Sequence, residues 1–149
     1  MISQKAKYAL RALIALARSH GSDEIHLISQ IAEQQRIPKK FLEQILLDLK
    51  HHGIVVSRRG KAGGYMLLKN PDTITFGAVL RIIDGPIAPL PCLSRMAYRR
   101  CEDCREEKSC EVRRVFARVA LATREVLDGT TIADCVSGAA DGEARALTA

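Results

Sequence analysis

Between Leu27 and Leu49 the apolar residues keep helical spacing, yet the register breaks once, at Arg36-Ile37-Pro38. Leu27, Ile28, Ile31 and Ala32 share one face of a helix over residues 27–34, and Leu42, Ile45, Leu46 and Leu49 share one face of the next. A period of 3.6 residues brings positions i, i+3, i+4 and i+7 together. A gap this short leaves room only for a tight turn, and Pro38 suits the opening of the second helix because its missing N–H would be unpaired there anyway. Two short helices joined in this way form a helix-turn-helix. Arg36 stands where glycine is common in such turns, so this turn is expected to be less tight than one built on glycine. Lys50, His51 and His52 place donors at the negative end of the second helix before Gly53 stops it.

The flanking segments extend the pattern. Ala6, Ala9, Leu10, Leu13, Ile14 and Ala17 form the apolar stripe of an earlier helix that stops before Gly21. Residues 54–58 and 65–68 are β-prone, and Arg59-Gly60-Lys61-Ala62-Gly63-Gly64 between them reads as a hairpin tip. Asn70-Pro71-Asp72 makes a turn, and Thr73 or Thr75 can cap a fourth helix burying Phe76, Val79, Leu80 and Ile83. Pro86, Pro89 and Pro91 then interrupt helical structure. A long helix resumes over residues 111–127, where Val112, Phe116, Val119, Thr123 and Val126 alternate at spacings of four and three, a seam suited to a partner helix. Thr131-Ile132-Ala133-Asp134 resembles a capping box opening a last short turn.

The expected fold is mainly α with a small β-hairpin wing: a winged helix-turn-helix domain plus a long C-terminal dimerisation helix. Residues 1–85 form the winged domain and 86–110 a cysteine-containing sensory loop. Residues 111–136 supply the dimerisation helix and terminal turn, and 137–149 a disordered tail. A hydrophobic fraction of 47% with 4% aromatics and no tryptophan suits this α-rich reading. No signal peptide or membrane span is expected, because charged residues interrupt every apolar run. That places the chain in the cytoplasm.

The net charge of +6 becomes informative through its placement. Lys39 and Lys40 open the second helix of the pair and suit phosphates. Gln44 can pair with adenine N6 and N7, and Glu43 can accept from cytosine N4. Arg58, Arg59 and Lys61 on the wing suit the minor groove or the phosphate backbone. An ordinary solvated face would also carry such charges, but a helix-turn-helix with a basic wing points to double-stranded DNA. Catalysis has no support: Cys101-Glu102-Asp103-Cys104 superficially resembles a thiol–disulfide motif but lacks a βαβ unit, and His20, His26, His51 and His52 have no paired acid or nucleophile. RNA binding is disfavoured by the scarcity of stacking aromatics.

Lys7-Tyr8-Ala9-Leu10-Arg11-Ala12-Leu13, Phe41-Leu42-Glu43-Gln44-Ile45-Leu46 and the segment from Arg58 to Tyr65 together resemble the Rrf2 family of bacterial transcription regulators. That family includes iron–sulfur cluster, nitric-oxide-sensing and rhizobial iron regulators. The resemblance covers about residues 1–135. It implies a homodimer with crossing C-terminal helices on a palindromic operator, with repression the expected sign of control. It also implies that Glu43, Gln44, Arg59 and Gly60 lie at the DNA surface.

The resemblance implies a ligand as well. Iron–sulfur members hold a 2Fe–2S cluster through three loop cysteines, the last two separated by five residues. Cys104 and Cys110 match that separation, with Cys92 as first ligand, and Cys101 is additional. A histidine that serves some members as fourth ligand is replaced by Arg113, and an acidic residue that serves others is replaced by Lys7, which leaves Cys101 as the candidate fourth. Four thiols in one loop also suit zinc, and nearby arginines suit a metal-free redox switch, so iron–sulfur, zinc and no metal all remain open. Cys135 is assigned to packing.

Overall fold

The computed structural model describes residues 2–22, 24–60 and 63–138. Lys61 of the expected wing contacts, and the expected tail beyond residue 138, lie outside the described residues. The chain runs α1 (Gln4–Ala17), α2 (Ile28–Gln35), α3 (Lys39–His51), β1 (Val55–Arg58), β2 (Gly64–Leu67), α4 (Phe76–Ile83), α5 (Glu111–Gly129) and α6 (Ile132–Ser137). Short 3-10 turns at Pro71–Thr73 and Pro91–Leu93 punctuate it.

Helix α1 is the centre of the molecule. Ser3 caps it, its side chain accepting from the Ala6 N–H at 3.0 Å. The helix packs against α2, α3, α4, α6 and β2 at once. Its buried set therefore exceeds one stripe: Ala12 and Leu16 are enclosed along with Ala6, Ala9, Leu10, Leu13 and Ala17, whereas Ile14 is only half-buried. The alanines allow neighbouring backbones to approach closely, and Leu13 fills the space between them.

The expected inward face of α3 is fully enclosed, with Leu42, Ile45, Leu46 and Leu49 at zero exposure. The inward face expected for α2 is only half right. Ile31 and Ala32 are buried, but Ile28 is half-buried and Leu27 is 43% exposed. Leu27 has extended backbone and precedes the helix as its N-cap, so helical periodicity does not govern its direction. Its N–H donates to the Gln30 side chain at 3.0 Å. The turn is tight despite the absence of glycine, because Arg36 itself adopts the left-handed conformation with φ 51° and ψ 48°. Its strain is held by the Ile37 N–H, which donates to the Ala32 carbonyl at 2.8 Å, and by Arg11, whose guanidinium donates to the Gln35 carbonyl.

β1 and β2 pair antiparallel in the register Val55↔Leu67 to Arg58↔Gly64. Leu68, expected as the end of the second strand, falls outside it and is exposed. Thr75, one of the two candidates, caps α4 by accepting from the Ala78 N–H at 3.1 Å.

The chain from α5 returns to the winged core. Arg81 forms a fork with Asp128, both N–O distances being 2.8 Å. Gly77 makes room for it, since a Cβ there would lie 2.0 Å from Asp128 Oδ1. Thr75 and Thr131 form a β-bridge, and Thr131 and Asp134 cap α6 reciprocally as the sequence implied. Ile132 then enters the core at zero exposure among residues from α1, α3 and α4. Cys135 is half-buried on α6. Truncating Ile132 to alanine should cost about 2–5 kcal/mol in urea unfolding. A loss below about 1 kcal/mol would show that α6 only rests on the surface.

Candidate nucleic-acid interface and cysteine pocket

The outward face of α3 carries Lys39, Lys40, Glu43, Gln44 and Leu47, all exposed. The first turn holds no acidic residue, so the positive helix end and two lysines reinforce one another, an arrangement that favours an incoming phosphate. Among the described residues, Lys39, Lys40, Glu43, Arg58 and Arg59 take part in no ion pair.

Gln44 is less free. Its Nε2 donates to Asp48 Oδ1 at 3.0 Å, while Lys5 of α1 approaches Asp48 Oδ2 at 2.7 Å. The Lys5 hydrogen bond, assisted by that from Gln44, holds the Asp48 carboxyl below its ordinary value despite partial desolvation. Gln44 keeps its carbonyl and a second N–H for a base edge, so the contact orients the amide without consuming it. Asp48 was not singled out from sequence. The Gln44–Asp48 spacing of four was a usable signal, whereas the partner on α1 was not foreseeable.

The wing is fastened to this helix. Lys50 Nζ donates to Ser57 Oγ at 2.6 Å, joining α3 to β1. His26 and Tyr65 exchange backbone hydrogen bonds of 3.0 and 2.8 Å, which adds a one-residue third strand beside β2. Gly64 permits this approach, because a Cβ there would stand 2.4 Å from the His26 carbonyl oxygen. Arg58, Arg59 and Gly60 are exposed at the tip.

The loop over residues 86–110 brings its cysteines together. Cys92, Cys101, Cys104 and Cys110 all line one cavity of about 360 Å³. Cys92 is buried in the turn beneath α5, Cys104 and Cys110 are half-buried, and Cys101 is exposed. Partial desolvation, with Cys92, Asp103 and Cys104 nearby, pushes the Cys101 thiol up. Cys110 is the N-cap of α5, its sulfur accepting from the Arg113 N–H at 3.4 Å. Arg100 folds the loop by donating to the carbonyls of Cys104 and Arg105 at 2.9 and 2.7 Å, and Arg124 of α5 donates to the Leu93 carbonyl at 2.8 Å.

Four thiols on one cavity, with Arg113 on the same wall, suit a thiolate-held anionic group in donor chemistry and in charge. The Arg113 Nε is buried without a hydrogen-bond partner, an orphaned donor beside the thiols. The side chains nevertheless do not form a closed ligand cage: among the described residues, no group of three or more His, Cys, Asp or Glu is placed to hold a metal ion. Lys7 is exposed on α1 and Arg113 reaches toward the Cys92 carbonyl and Glu107, at 3.5 and 3.6 Å.

A two-stranded wing behind a basic-faced second helix defines a winged helix-turn-helix protein. Residues 2–138 match the Rrf2 family, described as an iron-dependent transcriptional regulator, and the chain belongs to that family. An rrf2-like HTH-type transcriptional regulator of Rhodobacter capsulatus is 48% identical over 139 residues, covering 92% of this chain and 93% of its own. The structure of CymR, the global cysteine regulator of B. subtilis, superposes with a TM-score of 0.76 at 36% identity, over 92% of this chain and 96% of that one. IscR of T. potens gives 0.72 at 28% identity, over 96% and 90%. The protein is thus a DNA-binding transcriptional regulator rather than an enzyme. No helix among the described residues is long and apolar enough to cross a membrane.

The Lys5–Asp48 pair is partly exposed and contributes at most about 1 kcal/mol. Because the folded-state pKa of Asp48 is depressed, this contribution is present above the ordinary carboxylate value of about 3.9. It is lost as pH falls through the lower folded value. Urea unfolding of Asp48→Asn against wild type should show a deficit at neutral pH that closes in acid. A deficit that widens in acid would contradict the assignment.

Proposed function

We propose that the protein acts in the cytoplasm as a homodimer on a palindromic double-stranded DNA operator. In this reading α3 lies in the major groove, with Glu43 and Gln44 facing base edges and Lys39 and Lys40 facing phosphates. Arg58, Arg59 and Gly60 of the wing reach the adjacent backbone or minor groove. The observation that carries this part is the unpaired cationic start of α3 beside a wing tied to the same helix by Lys50 and Ser57. The dimer is supported by the α5 seam: Val112, Val115, Phe116, Val119 and Val126 fall on one side of the helix and are exposed. A contiguous apolar face of this kind on a lone chain marks a partner surface.

Operator affinity, in the same proposal, follows the state of the cysteine pocket. Cys92, Cys104 and Cys110, with Cys101 as fourth, would hold a 2Fe–2S cluster, which would supply sensitivity to iron and oxidants when bound. The family's description as iron-dependent supports this assignment. The chain's own part is mechanical. Cys110 caps α5, Arg124 pins the loop to α5, and Arg81 with Ile132 anchors the far end of α5 to the winged domain. A change in the loop therefore bears on the helix that sets the separation of the two recognition helices, a coupling between sites. A metal-free thiol switch is the second reading, favoured by the placement of all four loop thiols on one cavity.

Two measurements test these parts separately. In titrations against a selected operator, Arg59→Ala should weaken binding to all sequences alike and lower the salt slope by about 1, whereas Gln44→Ala should relax base preference at one position by about 1–3 kcal/mol. Equal effects on every sequence from both would remove Gln44 from base reading. Iron analysis of anaerobically purified protein, and electron paramagnetic resonance after one-electron reduction with dithionite, should detect the cluster. Colourless, iron-free protein whose DNA binding ignores replacement of all four loop cysteines by serine would overturn the sensing role.

A further inference from the structure

The apolar residues of α3 divide sharply. Leu42, Ile45, Leu46 and Leu49 are fully enclosed; Phe41 is 36% exposed but packs edge-on against Tyr8, and Leu47 is 42% exposed with no ring contact. Leu47 lies three and four residues beyond Gln44 and Glu43, so it continues the outward stripe that starts at Lys39 and Lys40. Of the polar side chains after Gln44, Asp48, Lys50 and His52 are engaged, while His51 at the end of the helix is exposed. Asp48 is held by Lys5 and Gln44, Lys50 donates to Ser57, and His52 Nδ1 contacts the Asp48 carbonyl at 2.9 Å. A single surface leucine normally needs no explanation. This one lies in a row of charged and polar side chains, on the face assigned to the groove. The one apolar feature that base pairs display in the major groove is the 5-methyl group of thymine.

We propose that Leu47 packs on a thymine methyl group and so sets base preference at one position of each half-site. The inference deepens the recognition-helix reading above and rests on it. Leucine offers no donor or acceptor, so it satisfies the polar edge of no base pair, thymine O4 included, and it discriminates only through the apolar contact that the thymine methyl supplies.

Binding-site selection with full-length wild type and Leu47→Ala tests this, followed by replacing the selected thymine with deoxyuridine, which deletes only the methyl group. Selection should return one thymine in each half-site whose preference Leu47→Ala relaxes. Deoxyuridine there should weaken wild-type binding about fourfold and leave Leu47→Ala nearly unaffected. The deoxyuridine arm uses wild-type protein, so it holds even if the variant folds poorly. No methyl-sensitive thymine, or equal sensitivity in both proteins, would overturn the inference. If Glu43→Ala and Gln44→Ala also leave the selected motif unchanged, the recognition-helix reading fails with it; if they change the motif and Leu47→Ala does not, only this inference fails.

Discussion

The enclosure of α1 is the constraint from which the rest follows. A helix touched by α2, α3, α4, α6 and β2 must be apolar on more than one side, and its alanines keep those neighbours close. That single packing arrangement fixes the angle of α3, the seat of the wing and the return point of the C-terminal segment. Ile132 closes the core from the far end of the chain, so the long α5 is joined to the winged domain at both ends, by the 86–110 loop and by α6.

Electrostatics on α3 are arranged in two zones. The start of the helix keeps its positive charge uncompensated, which costs a little stability and leaves an anion site. Further along, Asp48 would repel phosphates if left alone, but Lys5 neutralises it and the pair orients Gln44. In the proposed function this surface combines general attraction to a polyanion with a small set of groups that discriminate bases.

Much of this was legible in sequence because local rules govern it. Leu42, Ile45, Leu46 and Leu49 read as a buried face since helical period alone fixes their direction, and Thr131 with Asp134 read as a cap because the bonds are three residues long. Leu27 misled, since the period does not apply one residue outside a helix. Ala12 and Leu16 were missed because α1 is packed on several sides by elements distant in sequence, β2 beside Leu16 among them, and the helical period does not report that. The tight turn at Arg36 ran against residue preference, its strain held by hydrogen bonds that include one from Arg11. Cysteine spacing suggested a shared site, but convergence on one cavity depends on Arg100 folding the loop, and Lys5–Asp48 spans 43 residues.

The central claim is that α3 and the wing form one rigid DNA-reading unit whose spacing in the dimer is set through α5. A crystal structure of the full-length protein on its selected operator tests it most directly. Two protomers should be joined along the Val112–Val126 seam, each placing Glu43 and Gln44 against base edges in the major groove with Arg59 at the neighbouring backbone or minor groove. A complex in which α3 lies outside the groove, or in which the α5 seam faces solvent, would contradict it.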